Sequence, residues 1–308
     1  MFKTHRQGNL TVLHYRFSSL EEYLNHLEHA QVAPSFRDCE VSKQDFDAFT
    51  GSASLEEAIR MCRFGFHEGF DRFFALNTAI MHELDMSFDV VRTFDDYVGF
   101  APDVKAFLEG SPLTMINRPD PVRKSIRIFM NTSYDSSVEE EPILHRGATV
   151  LTTVMILEML HYAVDLHLFE MSYCDMGDGG VEVHFSEFLL KAPGERVNAQ
   201  KLFFPLCHPS WIRRLNFRLI ETTPHISYQW AGTYGIPCGD RMMRKILDLH
   251  DGDILIPTME ELVMDGNDIV RDARLMFERF NTVLPAEDRL KLREIPATPA
   301  PLPVGRDF

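Results

Sequence analysis

A chain of 308 residues, 45% of them apolar, is long enough to bury a full hydrophobic core. Its formal net charge of -15 argues against a protein whose main task is to coat DNA or RNA, because backbone affinity there comes from Lys and Arg neutralising phosphates. Five cysteines, an odd number with no Cys-x-x-Cys pair, disfavour a disulfide framework or a zinc knuckle, and no run approaches the roughly 18 uncharged apolar residues of a membrane span.

Leu10 to Phe17 alternates as a strand, and Ser18-Ser19-Leu20 opens a helix whose early acids suit the positive end of its dipole. Residues 31–50 read as irregular. Ser54 stands three residues before Glu57, the capping-box spacing, so a helix is expected from Leu55 to about Phe64, ending at Gly65. A second helix follows over Phe70 to His82. The phenylalanines here (Phe64, Phe66, Phe70, Phe73, Phe74, Phe88, Phe94, Phe100) are expected to pack in a core, since each can bury a large apolar area. Val104 to Glu109 reads as a helical turn that Gly110 and Pro112 end.

From Ser125 the pattern alternates: a strand (Ser125 to Asn131), a polar turn (Thr132 to Ser137), a long helix (Val138 to His161), a strand (Ala163 to Met171) and another (Val181 to Leu190). A helical crossover makes the first two strands parallel, and the Asp178-Gly179-Gly180 turn makes the last two an antiparallel pair. Helices near Val197 to Phe204, from His208 to Ile220 and over Asp240 to Leu247 precede a short apolar strand, Ile254 to Ile256. A last helix (Asn267 to Val283) and a Pro-rich tail, expected to be disordered, complete the chain.

In open α/β sheets ligands bind beyond the carboxyl ends of the strands, so the turn after the first strand of this set is the leading candidate site. Asn131, Thr132, Ser133, Tyr134, Asp135 and Ser136 all carry oxygen, with no lysine and no glycine loop to cradle phosphate. Such a set suits a hard cation, Mg²⁺ or Mn²⁺. Taken with the element order, this turn resembles the von Willebrand factor A family, whose metal site begins Asp-x-Ser-x-Ser after the first strand. On that resemblance Asn131, Ser133 and Asp135 would be the metal positions, although Asn131 and Asp135 depart from the motif. Pro257, Thr258 and Met259 stand where the family's supporting Asp would be. The segments Phe49 to Ala58, Arg146-Gly147-Ala148 and Leu157-Glu158 also resemble a family of uncharacterised bacteriophage and prophage proteins, which implies no known activity.

Other candidates are weaker in pattern. Glu182, His184 and Ser186 share one strand face and read as its wet side, and Asp165 with His167 reads the same way. Cys207-His208 at a helix start could lower a thiol pKa, but adjacency alone does not make a nucleophile. The arginines Arg213, Arg214 and Arg218 read either as a solvated helix face or as a phosphate-binding patch.

The sequence therefore predicts an α/β fold: a three-layer, Rossmann-like domain similar to von Willebrand factor A over 121–285, with an antiparallel edge pair. A mainly helical N-terminal addition (1–120) would precede it and the tail (286–308) follow it. The expected function is a non-enzymatic interaction or scaffold protein of phage or prophage origin, in the cytoplasm or on the virion. Its partner would be another protein, bound at Thr132, Tyr134 and Ser136, without membrane or nucleic acid. The alternatives are a virion structural component and a metal-dependent enzyme acting on phosphoesters or nucleic acid. That enzyme would use Ser133 and Asp135 on the metal, Arg213, Arg214 and Arg218 on phosphate, and further carboxylates from Asp251, Asp253 or Glu260.

Overall fold

The strand at Leu10–Phe17 pairs in parallel with Val181–Lys191, and this pairing sets how the whole chain is organised. The computed structural model describes residues 1–37, 39–43, 47–86, 94–97, 101–117, 124–262, 264 and 266–293. The first half contains β1 (Phe2–Gln7), β2 (Leu10–Phe17), α1 (Leu20–His29), α2 (Asp47–Thr50), α3 (Leu55–Phe64), α4 (His67–Glu83), β3 (Phe94–Asp96), β4 (Ala101–Pro102), α5 (Val104–Leu108) and β5 (Met115–Asn117). Then come β6 (Lys124–Asn131), α6 (Glu140–Met159), β7 (Tyr162–Asp175), β8 (Val181–Lys191) and α7 (Ala199–Cys207). A π-helical segment (Trp211–Asn216) runs into α8 (Phe217–Glu221), followed by β9 (Ile236–Pro237), α9 (Asp240–Ile246), β10 (Ile254–Ile256) and α10 (Ile269–Asn281).

The main sheet has the order β1-β2-β8-β7-β6-β10, with β9 paired to the far end of β7. β6 is parallel to both β7 and β10, and β7 and β8 form the expected antiparallel pair. A small antiparallel sheet, β3-β5-β4, stands apart from it.

Helix boundaries follow local chemistry. Ser19 and Ser54 cap α1 and α3 through the amides of Glu22 and Glu57, and the Glu57 carboxylate reaches back to Ala53 N–H at 2.7 Å. Gly65 ends α3 with φ +94°, a conformation that costs a side-chain-bearing residue strain. Helix α6 is buried on nearly every side because it lies on the sheet and is itself covered by α4, α7 and α10. Close approach to α7 requires Gly147: a Cβ there would stand 2.2 Å from the Leu206 carbonyl oxygen.

Two expectations are corrected by this arrangement. The first 120 residues are no separate addition, because β1 and β2 extend the main sheet and α1, α3 and α4 share its largest apolar core. The expected three layers are unequal. One sheet face packs Phe17, Ile128, Val164 and Phe188 against the helices, while the other carries α9 over Phe129, Phe169 and Phe185 and then turns polar at Arg127, Asp165, His167 and Glu187. Of the phenylalanines, Phe73 is buried and Phe66 and Phe70 pack on the core with Phe203, but Phe64 and Phe74 face solvent. Phe88, Phe100, the side chain of Phe94 and the tail from residue 294 lie outside the described residues.

Candidate functional site

The turn after β6 spends most of its oxygens on the protein itself. Asn131 and Ser133 are buried: the side-chain Oδ1 of Asn131 accepts Ser133 N–H at 2.8 Å, and Ser133 Oγ sits between the amide and carbonyl of Met171. Thr132, also buried, donates to the Phe169 carbonyl and accepts from the Trp211 indole. Tyr134 donates to the Pro209 carbonyl. Asp135 faces solvent, where the Ser137 amide holds its carboxyl below the usual range.

The expected metal set is therefore corrected: two of its three members already have protein partners for the atoms a cation would need. A cation sits beneath the turn instead. Arg146 is buried and donates to the Pro257 carbonyl, where the von Willebrand resemblance expected a carboxylate, and burial lowers its pKa to about 10. Of the supporting carboxylates, Glu260 reaches the turn and accepts Asp135 N–H at 2.6 Å. Asp253 is bonded to Arg127, well back along β6, and Asp251 belongs to the turn before it.

The three arginines are neither solvated nor arranged for phosphate. Arg213 donates to the carbonyls of Phe49, Ser136 and Val138 and stacks between the rings of Phe49 and Tyr134. Arg214, fully buried, donates to the carbonyls of Ser42 and Ser52. Arg218 binds Glu40 at 2.8 Å and the Ala30 carbonyl. The reason lies in what packs against them: the described residues of the segment 30–52 present the carbonyls of Ala30, Ser42, Phe49 and Ser52, and forked guanidinium donors satisfy them. The wider π turn, with all six of its residues buried, carries Arg213 and Arg214 against that segment.

The polar face of β8 is buried too. His184 places Nδ1 3.3 Å from Glu170 on β7 and Nε2 3.2 Å from Thr223 Oγ1, and the other Glu170 oxygen accepts from Ser172 Oγ. A hydroxyl, an imidazole and a carboxylate in that order match the sequence of a hydrolytic triad. Thr223 is fully buried and donates to the Leu219 carbonyl, so no substrate reaches that hydroxyl. Nearby, burial raises the pKa of Glu221, which accepts hydrogen bonds from Ser42 and Tyr234.

Cys207 and His208 are likewise structural. Burial pushes the thiol well up, and His208, stacked on Phe204, accepts the Ser210 amide through Nδ1. Asp165 and His167 belong to the other sheet face, where His167 bridges Asp165 and Glu187 at 3.1 and 3.2 Å.

What remains open to solvent is a cleft of about 260 Å³ between the β6 turn, the π segment and the loop before α9. Ser133, Tyr134, Asp135, Ser136 and Arg213 line one side. Glu170, Ser172, Tyr234 and Gly235 complete it, and sequence reasoning missed them. A Cβ on Gly235 would stand 2.8 Å from Ser172 Cβ, so this glycine lets the loop lie against β7 at the cleft. The signal that could have found the floor was a glutamate and a serine inside the apolar run of β7.

The family model for a domain of unknown function, DUF7192, matches residues 4–283, and the chain belongs to that family. No curated protein and no solved structure matches it.

Proposed function

We propose that this member of the DUF7192 family is a non-enzymatic interaction protein that engages another protein at the strand-tip cleft and receives a basic side chain there. One observation carries the reading. The cleft presents an exposed carboxylate at its rim, Asp135, above the buried carboxylate of Glu170 in its floor, while its guanidinium, Arg213, has its terminal nitrogens committed to three carbonyls. A Lys or Arg from a partner would find a charge-assisted acceptor in Asp135, with hydroxyls around it. Ile236, 54% exposed beside Pro237, gives the rim an apolar anchor of the kind interfaces use.

The von Willebrand factor A resemblance belongs to the same proposal. The spatial order β8-β7-β6-β10, with β7 and β8 antiparallel and the other two pairs parallel, supports it, and it makes the strand tips the binding face. A phage or prophage origin, with a virion component as the variant reading, rests on the sequence resemblance alone.

The test is calorimetric titration with short peptides centred on Arg, Lys or norleucine. Arg and Lys peptides should bind, norleucine should not, and Asp135→Asn should weaken binding at least about tenfold, a loss of about 1.4 kcal/mol. Equal binding of all three peptides, or of none, would remove the proposal.

A further inference from the structure

The main sheet ends at β1, and among the described residues no strand pairs with its outer side. Hydrogen-bond alternation tells which groups that edge offers. Arg16 N–H donates to the Met1 carbonyl at 2.9 Å, and β1 runs antiparallel to β2 with Phe2 opposite Tyr15, Lys3 opposite His14 and His5 opposite Val12. In an antiparallel pair, residues that direct both N–H and C=O at the partner alternate with residues that direct both away. Met1, Lys3 and His5 thus face β2, and Phe2, Thr4 and Arg6 present their backbone groups outward, at the two-residue spacing an added strand needs.

The charge on this edge runs against that of the chain. Residues 1–17 contain Lys3, Arg6 and Arg16 with His5 and His14, and no Asp or Glu, in a protein of net charge -15. Lys3, His5 and Arg6 are exposed. Lys3, His5, His14 and Arg16 flank a cavity of about 490 Å³ on the sheet face away from the helices, closed on its inner side by His167 and Glu187. Arg16 stays largely in solvent although Glu187 lies 3.6 Å away. A second copy laid edge to edge would set these cations against one another, so self-pairing is disfavoured.

We infer that β1 is a docking edge for an extended acidic segment of another protein, which adds as a further strand. Its backbone pairs with Phe2, Thr4 and Arg6, and its carboxylates meet Lys3 and Arg16 on the face that carries the cavity. This surface is separate from the strand-tip cleft and of opposite sign, so either can fail without the other.

The test titrates the full chain with fluorescent peptides of about eight residues: alternating Glu and Val, alternating Lys and Val, and the Glu form interrupted by prolines that cannot donate to a ladder. The first should bind, more weakly as salt rises. It should also slow amide exchange at Phe2, Thr4 and Arg6 by about tenfold or more, while the other two peptides should do neither. Thr4→Pro removes one outward N–H and should abolish binding. Should that variant fold poorly, Lys3→Glu with Arg16→Glu carries the test, because it should transfer the preference to the Lys peptide. Equal binding of the acidic and basic peptides, acidic binding without protection at β1, or no binding at millimolar peptide would each overturn the inference.

Discussion

His184 and Glu170 face each other from neighbouring strands with Nδ1 3.3 Å from the carboxylate, and neither side chain meets solvent. Removing one partner strands the other in the interior. His184→Leu is expected to cost about 3–5 kcal/mol in urea unfolding. Glu170→Leu in the same background should add much less than it costs alone, since the two share one network. Strictly additive losses would mean that the pair is not coupled.

Arg213 holds three carbonyls that would otherwise be left short of donors. Arg213→Met should destabilise the fold by about 2–4 kcal/mol and speed amide exchange around Val138. Arg213→Lys should recover less than half of that, because an ammonium cannot reproduce the planar fork. A fully stable Lys variant would show that charge alone suffices.

His208 carries a pH dependence with a defined sign. Burial lowers its pKa from the ordinary 6.5 to about 4, so between those values the unfolded chain binds the extra proton and stability falls as pH falls, by roughly 3 kcal/mol across the window. His167 acts the other way. Burial opposes its charge, but Glu187 and Asp165 outweigh that and raise its pKa, so its contribution is full below about pH 6.5 and is lost as pH rises. Urea unfolding from pH 4 to 7 should show a much flatter acid limb in His208→Asn, whose amide can still accept the Ser210 N–H. Parallel curves for wild type and variant would assign the acid sensitivity elsewhere.

Mg²⁺ and Mn²⁺ should leave the Tm unchanged, in wild type and in Asp135→Ala alike, because the Asn131 and Ser133 oxygens already serve protein amides and Arg146 lies beneath them. A cation bound at a hundredfold excess over its Kd would stabilise the fold by about 2.7 kcal/mol, an increment that differential scanning calorimetry resolves. A rise that Asp135→Ala abolishes would restore the metal site.

Local chemistry made much of this fold legible. Ser19, Ser54 and Gly65 mark helix ends wherever the chain goes afterwards, and the Gly-rich turn before Val181 dictates an antiparallel return. The partner of β2 was not legible, since nothing within Leu10–Phe17 distinguishes β8 from any other strand. The arginines were misread for a related reason: their spacing describes the helix that bears them, whereas their environment is set by groups distant in sequence, such as the carbonyl of Ser42, 172 positions from Arg214. The strand tip forms one side of a cleft. Its other side comes from Tyr234 and Gly235, which no periodicity connects to Asn131.

The contact between Ser42 and Glu221 spans 179 residues, and it has a temporal cost. On a ribosome adding about 5–20 residues per second, Ser42 waits roughly nine to thirty-six seconds before the glutamate that will receive it has been made. For most of that interval, until Lys191 has been added, the β1–β2 hairpin exists without β8 and keeps a second open edge. The nascent chain must survive this delay with Leu13, Tyr15 and Phe17 uncovered, so binding by a chaperone at this hairpin would be expected to fade once Lys191 has emerged.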